Sequence, residues 1–226
     1  MINLLMLPFK ALVVFLPWPI KRHFLHLMFG YQLHPTSRIS FSWIYPKHLR
    51  LASGSCIGSF NVAINLDLLD LGEFSTICRG NWITGFPVGT DSPHFAHQKD
   101  RCAELVIGSH SAITNNHYID ATNTVEIGSF TTIAGNSSQL FTHSIDLHFS
   151  RQHSKPIIIG SYCFVSTNCV ILGGSVLPDY SVLGASSLLN KPFDDSWGLF
   201  VGHPARRHKD IDPHSAYFCR QTGFVI

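Results

Sequence analysis

Residues 159–189, IGSYCFVSTNCVILGGSVLPDYSVLGASSLL, carry an aliphatic residue at every sixth position. These residues are Ile159, Val165, Ile171, Leu177, Leu183 and Leu189. Neither an α-helix, with about 3.6 residues per turn, nor an alternating β-strand produces that spacing. A six-residue repeat instead places one inward side chain on each face of a triangular coil, and three such hexads complete one turn of a parallel β-helix. The stretch therefore predicts an all-β solenoid.

The same spacing recurs earlier in the chain, in blocks separated by interruptions. The aliphatic positions are Leu51 and Ile57, then Leu71, Ile77 and Ile83, then Ile107, Ile113 and Ile119, and then Ile127 and Ile133. Glycine follows an aliphatic residue at the expected corners, where a side chain would crowd the turn: Gly58, Gly72, Gly108, Gly128, Gly160 and Gly184. A β-sandwich of short strands is the alternative, but it gives no reason for phased blocks.

Two segments leave the repeat. Residues 84–105 contain prolines, two histidines and five charges, and residues 140–157 contain His143, His148 and His153. Both segments are expected to project as loops from the solenoid. Long insertions in a solenoid project from one face and usually carry function, so the chemistry is expected there.

The length and composition predict a single domain located in the cytoplasm. At 226 residues the chain suits one solenoid, which we divide into an N-terminal helical segment (1–38), the β-helix (39–190) and a C-terminal tail (191–226). The formal net charge is +2 and 13% of the residues are charged, so nucleic acid is not expected as a partner. The six cysteines form no Cys-x-x-Cys pair, which is typical of reduced, structural thiols.

The first thirty residues are strongly apolar. Three prolines interrupt them, and the run between Lys10 and Lys21 is only ten residues long. A transmembrane helix needs about twenty apolar residues, and the segment also lacks the features of a secretory signal. It predicts short helices that cap the first coil, that lie in the membrane interface, or that do both. In the membrane case Lys10, Lys21 and Arg22 are expected to meet anionic head groups.

Residues 156–193, PIIIGSYCFVSTNCVILGGSVLPDYSVLGASSLLNKPF, and VGHPARRHK at 201–209 resemble the hexapeptide-repeat acyltransferases. The likeness is to the branch with the galactoside and maltose acetyltransferases and the O-acetyltransferases of capsule and exopolysaccharide synthesis. It rests on a histidine-bearing loop before a Pro and an Ile-Gly, a Gly-Ala-x-Ser corner and a closing Gly-x-Pro-Ala-Arg. The resemblance implies a left-handed β-helix, a homotrimer with active sites between subunits, and acetyl-coenzyme A as donor.

The resemblance places the catalytic histidine at His143. Acetyl transfer to a hydroxyl needs a base that exchanges a proton near neutral pH, which histidine provides, and His148 and His153 are the alternatives in the same loop. The family also uses an asparagine one coil earlier, which falls on Asn116, although asparagine equally suits a left-handed corner. His117 is the reserve candidate for a catalytic or acceptor-binding role.

The donor is expected along the later coils. By resemblance, the backbone N–H near Thr167 is the oxyanion donor. The resemblance assigns the donor cleft to Phe164, Ser166, Gly184, Ala185 and Ser186, and the phosphates of the nucleotide to Lys191, Arg206 and Arg207. The chain departs from the family pattern with Phe164 for Trp and with Ser166 and Ser186 for Gly, which alters the expected contacts.

These residues predict an O-acetyltransferase that moves acetyl from acetyl-coenzyme A directly to a sugar hydroxyl, with His143 as general base. The expected acceptor belongs to a cell-surface polysaccharide or its lipid-linked precursor, and N-acetylation of an amino sugar is the nearest alternative. A non-catalytic scaffold is one alternative of another class. The other is a γ-carbonic-anhydrase-like zinc enzyme with ligands among His94, His97, His110, His117 and His143. Lys191 and the Gly-His-Pro-Ala-Arg-Arg segment favour the coenzyme site, so no metal is expected. The expected location is the cytoplasm, at the inner membrane face if the N-terminal segment binds there.

Overall fold

Three parallel sheets form the walls of a triangular solenoid, which the computed structural model describes for residues 6–223 and Val225. The first and third sheets have seven strands and the second has nine. Outside two antiparallel hairpins, consecutive strands along the chain lie in different sheets, so each strand of a coil pairs in parallel with the strand one coil away. The chain therefore makes seven coils, each contributing one strand to every sheet.

The strands are short and are numbered in chain order. The first sheet contains β1 (Gln32–Leu33), β4 (His48–Leu51), β7 (Leu68–Leu71), β10 (Glu104–Ile107), β13 (Val125–Ile127), β18 (Ile157–Ile159) and β21 (Val176–Leu177). The second contains β2 (Arg38–Ile39), β5 (Cys56–Ile57), β8 (Thr76–Ile77), β11 (Ala112–Ile113), β14 (Thr132–Ile133), β19 (Phe164–Val165), β22 (Val182–Leu183), β24 (Gly198–Gly202) and β25 (Ala205–Asp210). The third contains β3 (Trp43–Tyr45), β6 (Val62–Ile64), β9 (Trp82–Thr84), β12 (Tyr118–Asp120), β15 (Gln139–Phe141), β20 (Val170–Leu172) and β23 (Leu188–Leu189).

The aliphatic hexad positions line the interior of the solenoid. Along the first sheet, Ile107, Ile127 and Ile159 are direct neighbours in register, and each is almost fully buried. All six aliphatic residues of the 159–189 repeat are completely buried. Burial of one such side chain contributes about 1.5–3 kcal/mol, so each coil gains stability only when its three inward positions are apolar. The structure confirms the predicted repeat.

A ladder of six stacked rings runs along the corner between the first and second sheets. Its members are Phe74, His110, Phe130, Tyr162, Tyr180 and Trp197, with successive ring centroids 4.3 to 5.2 Å apart. All six have a left-handed φ of 54 to 60°, a region that usually favours glycine. The predicted corner glycines serve close approach instead, since a Cβ on Gly108 would lie 2.6 Å from the Ser129 nitrogen.

Two helices cover the open end of the first coil. Helix α1 spans Leu7–Phe15 and helix α2 spans Trp18–Phe29, and Val13 and Leu25 on their inner sides are buried. Among residues 6–223, no helix has the length and hydropathy to cross a membrane. The first coil starts at Gln32, within the predicted 1–38 segment, so that segment contains both the cap and the first strands.

Lys21 is buried in this cap. Its Nζ donates a hydrogen bond of 2.7 Å to the Ser40 carbonyl, and burial lowers its pKa to about 8. Lys10 lies over the rings of Phe29 and Tyr45, at 5.5 and 4.8 Å from their centroids. The expectation that Lys21 meets lipid head groups is therefore wrong, because its ammonium group holds the cap on the first coil.

The C-terminal tail extends the second sheet and then runs back along the solenoid. Strands β24 and β25 form an antiparallel hairpin on β22, so part of the predicted tail belongs to the sheet. A 3₁₀ turn, Ala216–Cys219, follows. The Tyr217 hydroxyl donates to the Cys163 carbonyl at 2.9 Å, and the Arg220 guanidinium donates to the Phe130 carbonyl. The tail therefore contacts and holds coils that lie well before it in the chain.

The two predicted insertions are confirmed, and they touch each other. Residues 85–103 connect β9 to β10, and strands β16 (His143–Asp146) and β17 (Arg151–Ser154) form an antiparallel hairpin. The Gln98 amide donates to the Ser154 carbonyl at 2.8 Å and accepts from the Ser154 N–H at 2.9 Å. The insertions thus form one joined structure beside the third sheet.

Candidate active site

His143 begins the projecting hairpin and is held by Asp120 from the preceding coil. The His143 Nδ1 is hydrogen-bonded to Asp120 Oδ2, and the Asp120 Oδ1 accepts from the Thr122 hydroxyl at 2.6 Å. The Asp120 side chain is 4% exposed and that of His143 is 43% exposed. Because an ionised carboxylate only accepts hydrogen bonds, Nδ1 carries the proton and Nε2 retains its lone pair.

This contact shifts the pKa of both partners. The hydrogen bond that His143 donates to Asp120 raises the pKa of His143, against an opposing effect of burial. Burial alone would raise the pKa of Asp120, but hydrogen bonds from His143 and Thr122 outweigh it and lower that pKa overall. The carboxylate therefore stays ionised, and His143 is a stronger base than a free histidine.

A cavity of about 240 Å³ lies beside His143. Its other lining side chains include Phe86, His94, Phe95, Tyr118, Phe141 and Gln152. A larger, open cavity of about 460 Å³ adjoins it across Tyr118 and Phe141, whose ring centroids are 5.5 Å apart. Aromatic faces with a few polar side chains suit a small ligand that has both apolar and hydrogen-bonding surface.

Arg101 anchors the 85–103 insertion beside the histidine. It is largely buried, donates to the carbonyls of Phe86 and Thr122, and places its guanidinium 4.7 Å from the Phe95 ring centroid. Thr122 also bonds to Asp120, so one residue connects the loop anchor with the carboxylate. Sequence reasoning had missed both Arg101 and Asp120.

Asn116 and Thr167 lie on a different corner, between the second and third sheets. Asn116 has a left-handed φ of 55°, and its Oδ1 would be 2.2 Å from a Cβ on Gly80, so its amide lies over that glycine. It borders the larger cavity. The Thr167 hydroxyl donates to the Asn136 carbonyl at 3.0 Å, and within residues 6–223 its N–H has no hydrogen-bond acceptor.

His117 is buried between coils, away from the His143 cavity. Its Nδ1 accepts from the Ser138 N–H at 3.1 Å, and its Nε2 is 3.0 Å from the Thr114 hydroxyl. Burial lowers its pKa to about 4, so the ring stays neutral. With both nitrogens engaged, His117 has the environment of a structural residue.

Part of the predicted donor surface shares the Thr167 corner. The Ser186 N–H donates to the Thr167 carbonyl at 3.0 Å, and the Asn168 amide donates to the Ser186 hydroxyl at 3.1 Å. Ala185 is exposed beside them, and the Ser166 carbonyl, just before this corner, accepts from the Ser138 hydroxyl at 3.3 Å.

Other predicted donor residues are covered by the C-terminal segment. The Phe164 ring packs edge-on against Tyr217, with centroids 5.7 Å apart. A Cβ on Gly184 would lie 2.6 Å from the Val201 side chain, so Val201 covers that glycine. These contacts remove Phe164 and Gly184 from the most accessible part of the corner.

The three predicted phosphate ligands differ in their environment. Arg207 is held by Asp210 at 2.9 Å and by the Asp195 carbonyl at 2.9 Å. Lys191 is exposed and lies 5.0 Å from the ring centroid of its neighbour Phe193, and Arg206 is exposed on β25. Lys191 and Arg206 thus remain accessible to an anion, whereas Arg207 stabilises its own hairpin.

The predicted base and the predicted oxyanion donor lie at opposite edges of the third sheet, that is, at the two ends of its strands. Asn116 precedes its strand β12, and Asp120 ends it. Four residues of extended chain separate them by about 13 Å. Thr167 stands at the same edge as Asn116, and His143 at the same edge as Asp120. A single chain therefore does not bring His143 and Thr167 together.

Of the five histidines of the zinc alternative, His94 and His143 line the same cavity, and the other three lie outside it. Residues 6–223 contain no group of three or more His, Cys, Asp or Glu side chains placed to hold a metal ion. His110 belongs to the aromatic ladder, and His117 is enclosed between coils.

Solved structures that share this fold include the N-acyltransferase AntD from Bacillus cereus. One variant of AntD, in complex with dTDP-4-amino-4,6-dideoxyglucose and coenzyme A, is 15% identical and has a TM-score of 0.56 over 85% of this chain and 89% of that chain. Another variant, in complex with dTDP and coenzyme A, is 16% identical with a TM-score of 0.52 over 78% and 84% of the two chains. No protein-family model and no curated protein sequence matches the chain. The likeness confirms the predicted left-handed parallel β-helix of hexapeptide repeats, and at this identity it establishes the fold alone.

Proposed function

We propose that the protein transfers acetyl from acetyl-coenzyme A to a hydroxyl group of a sugar. The observation that carries the proposal is the pairing of His143 with the buried Asp120 beside a cavity lined by aromatic rings. That pairing orients an imidazole with a free Nε2 at the mouth of a site sized for one sugar ring. The coenzyme bound by AntD supports the choice of donor. Because acetyl-coenzyme A is used inside the cell, the proposal assigns the reaction to the cytoplasm.

In the proposed reaction, His143 Nε2 takes the proton of the acceptor hydroxyl as its oxygen attacks the thioester carbonyl carbon. Asp120 holds Nδ1–H and stabilises the imidazolium that forms. The carbon–sulfur bond then breaks, and His143 returns its proton to the thiolate to give free coenzyme A. No covalent enzyme intermediate is needed.

The proposed oxyanion donor is the Thr167 N–H of a neighbouring protomer. Its lack of an acceptor among residues 6–223 leaves it able to bond to a developing negative charge. Since Thr167 and His143 lie at opposite edges of the third sheet, a homotrimer that places one protomer's corner against the next protomer's hairpin would complete the site. Asn116, Ser166, Ala185 and Ser186 would border the donor there, with Lys191 and Arg206 toward its phosphates. The acceptor would be a cell-surface polysaccharide unit or its lipid-linked precursor.

N-acetylation of an amino sugar is the second candidate, since AntD is an N-acyltransferase whose structure contains an amino sugar nucleotide. Incubation of the purified protein with acetyl-coenzyme A and extracted glycans separates the two. We expect coenzyme A release together with an acetyl group that hydroxylamine removes, as it removes esters. A hydroxylamine-stable acetyl group would favour the amide product. No coenzyme A release with any glycan fraction would contradict both forms of the proposal.

The Asp120→Asn variant tests the proposed pairing through its pH dependence. The base must be neutral to act, and Asp120 raises the pKa of His143. Loss of the carboxylate charge should lower that pKa, so the acidic limb of the kcat profile is expected to move to lower pH while the maximal rate falls. The Asn123→Asp variant, which adds a carboxylate nearby outside the pair, is a control. An unmoved acidic limb in Asp120→Asn would show that the carboxylate does not act through His143.

A further inference from the structure

The positive charge of the chain is concentrated at the capped end of the solenoid. The first acidic residue in the sequence is Asp67, and the 66 residues before it contain Lys10, Lys21, Arg22, Arg38, Lys47 and Arg50. Of the 16 Lys and Arg residues and 14 Asp and Glu residues in the chain, the remaining ten basic and all 14 acidic residues come later. Residues 1–66 therefore have a formal charge of +6, and the rest of the chain has −4. Residues 6–66 form the cap and the first two coils, and Arg50 among them is paired with Asp70 at 3.5 Å.

The helices of the cap are apolar on both sides. Their inner side is used, since Val13 and Leu25 pack on the first coil. On the outer side, Phe15 is 71% exposed, Leu27 is 68% exposed and Leu12 is 62% exposed. A cap that only sealed the solenoid would need apolar residues on the inner side alone, as the capping repeats of solenoids have polar outer faces.

Exposed basic residues lie on the second helix and on the first coil, next to the cap in the chain. Lys21 is buried and Lys10 covers aromatic rings, but Arg38 and Lys47 are exposed on the first coil and Arg22 is partly exposed on α2. The contact of Phe15 with Phe41, at 6.2 Å between ring centroids, connects the helices directly to that coil. Apolar and cationic side chains thus occupy one end of the molecule.

We propose that the capped end docks on a bilayer that contains anionic phospholipids, with Leu12, Phe15 and Leu27 entering the interface and Arg22, Arg38 and Lys47 at the head groups. An apolar helix face with a basic border is the combination that binds such surfaces. A second copy of the chain fits poorly, because two capped ends that faced each other would bring formal charges of +6 together. This inference concerns attachment and goes beyond the proposed acetyl transfer.

Flotation of the full chain with vesicles tests the proposal. We expect it to float with phosphatidylcholine vesicles that contain 30 mol% phosphatidylglycerol, on the order of a typical anionic bilayer, and not with phosphatidylcholine alone. Binding should weaken in high salt. Phe15→Ser with Leu27→Ser should abolish flotation, and each of Arg22→Gln, Arg38→Gln and Lys47→Gln should weaken vesicle partitioning about fivefold.

Matched controls are available elsewhere on the surface. Leu147→Ser removes an exposed apolar side chain from the hairpin tip, and Lys99→Gln removes a charge from the 85–103 insertion. Both should float like the unchanged protein. Equal flotation with neutral vesicles, or unchanged flotation of the charge variants, would overturn the proposal. The proposal would also be overturned if the unchanged protein self-associated through this face in the absence of vesicles and the Phe15→Ser/Leu27→Ser variant did not. The apolar face would then bind a second copy of the chain.

Discussion

If the proposed acetyl transfer is correct, the His143→Ala variant is expected to turn over about two to four decades more slowly than the unchanged protein, the range for loss of a general base. The reason is that His143 alone among the cavity residues combines a partly exposed imidazole ring with a buried carboxylate on Nδ1. Steady-state release of coenzyme A, measured with 5,5′-dithiobis-(2-nitrobenzoate), gives the rate. Donor binding, measured separately by calorimetry, should change little because His143 acts on the acceptor proton.

The matched control is His148→Ala in the same hairpin. His148 is exposed and packs edge-on against Phe149, with ring centroids 4.6 Å apart. Its replacement should leave turnover within about twofold, as for an ordinary surface substitution. A His143→Ala variant that keeps more than about a tenth of the activity would show that His143 is not the base. Loss of activity in His148→Ala would instead indicate that a residue at the hairpin tip is required for the reaction.

Two inactive variants are expected to restore activity when they assemble together. His143→Ala removes the proposed base, and Ala185→Trp fills the exposed corner beside Ser186 where the donor is proposed to lie. If each cleft uses the histidine of one protomer and the corner of the next, every mixed trimer contains one fully competent cleft out of three, so isolated mixed trimers should recover about a third of the unchanged turnover. Each variant alone should give only residual turnover.

The mixing experiment needs coexpressed chains with two different tags, so that mixed assemblies are isolated before the assay. Mixed assemblies without recovered activity would mean that base and donor corner belong to one protomer. A chain that is monomeric and active would contradict the proposed trimer directly. The His143→Ala chain coexpressed with itself under both tags is the control, because none of its clefts contains the proposed base.

The fold could be predicted from the sequence because the inward residues of every coil obey one rule. Ile107 and Ile159 are equivalent positions two coils apart, and both needed an aliphatic side chain. The aromatic ladder is equally visible in the sequence, as LGEF, IGSH, IGSF and IGSY. The sequence interpretation instead assigned the tight corner to the glycine of each of these segments. The left-handed residue is the aromatic one two positions later, where stacking between coils offsets the strain that glycine would avoid.

The candidate site was only half predictable. His143 could be found from the resemblance, but Asp120 becomes its neighbour only through the alignment of Asp120 with Phe141, two residues before the histidine. That register could not be obtained from the sequence, since the repeat slips between Ile119 and Ile127. The burial of His117 and the covering of Gly184 by Val201 also depend on contacts between coils. A six-residue period specifies which side chains point inward and leaves such contacts undetermined.

The tail that returns to Phe130 changes the order in which this solenoid can be completed. Coils pair with neighbours close to them in sequence and can form one after another as the chain leaves the ribosome. The contact of Arg220 with Phe130 spans 90 residues, so it closes only after the intervening coils are in place. Tyr217 and Arg220 therefore fix coils that have already stacked. Without them, coils at the C-terminal end would be free to open singly, whereas with them those coils must open together.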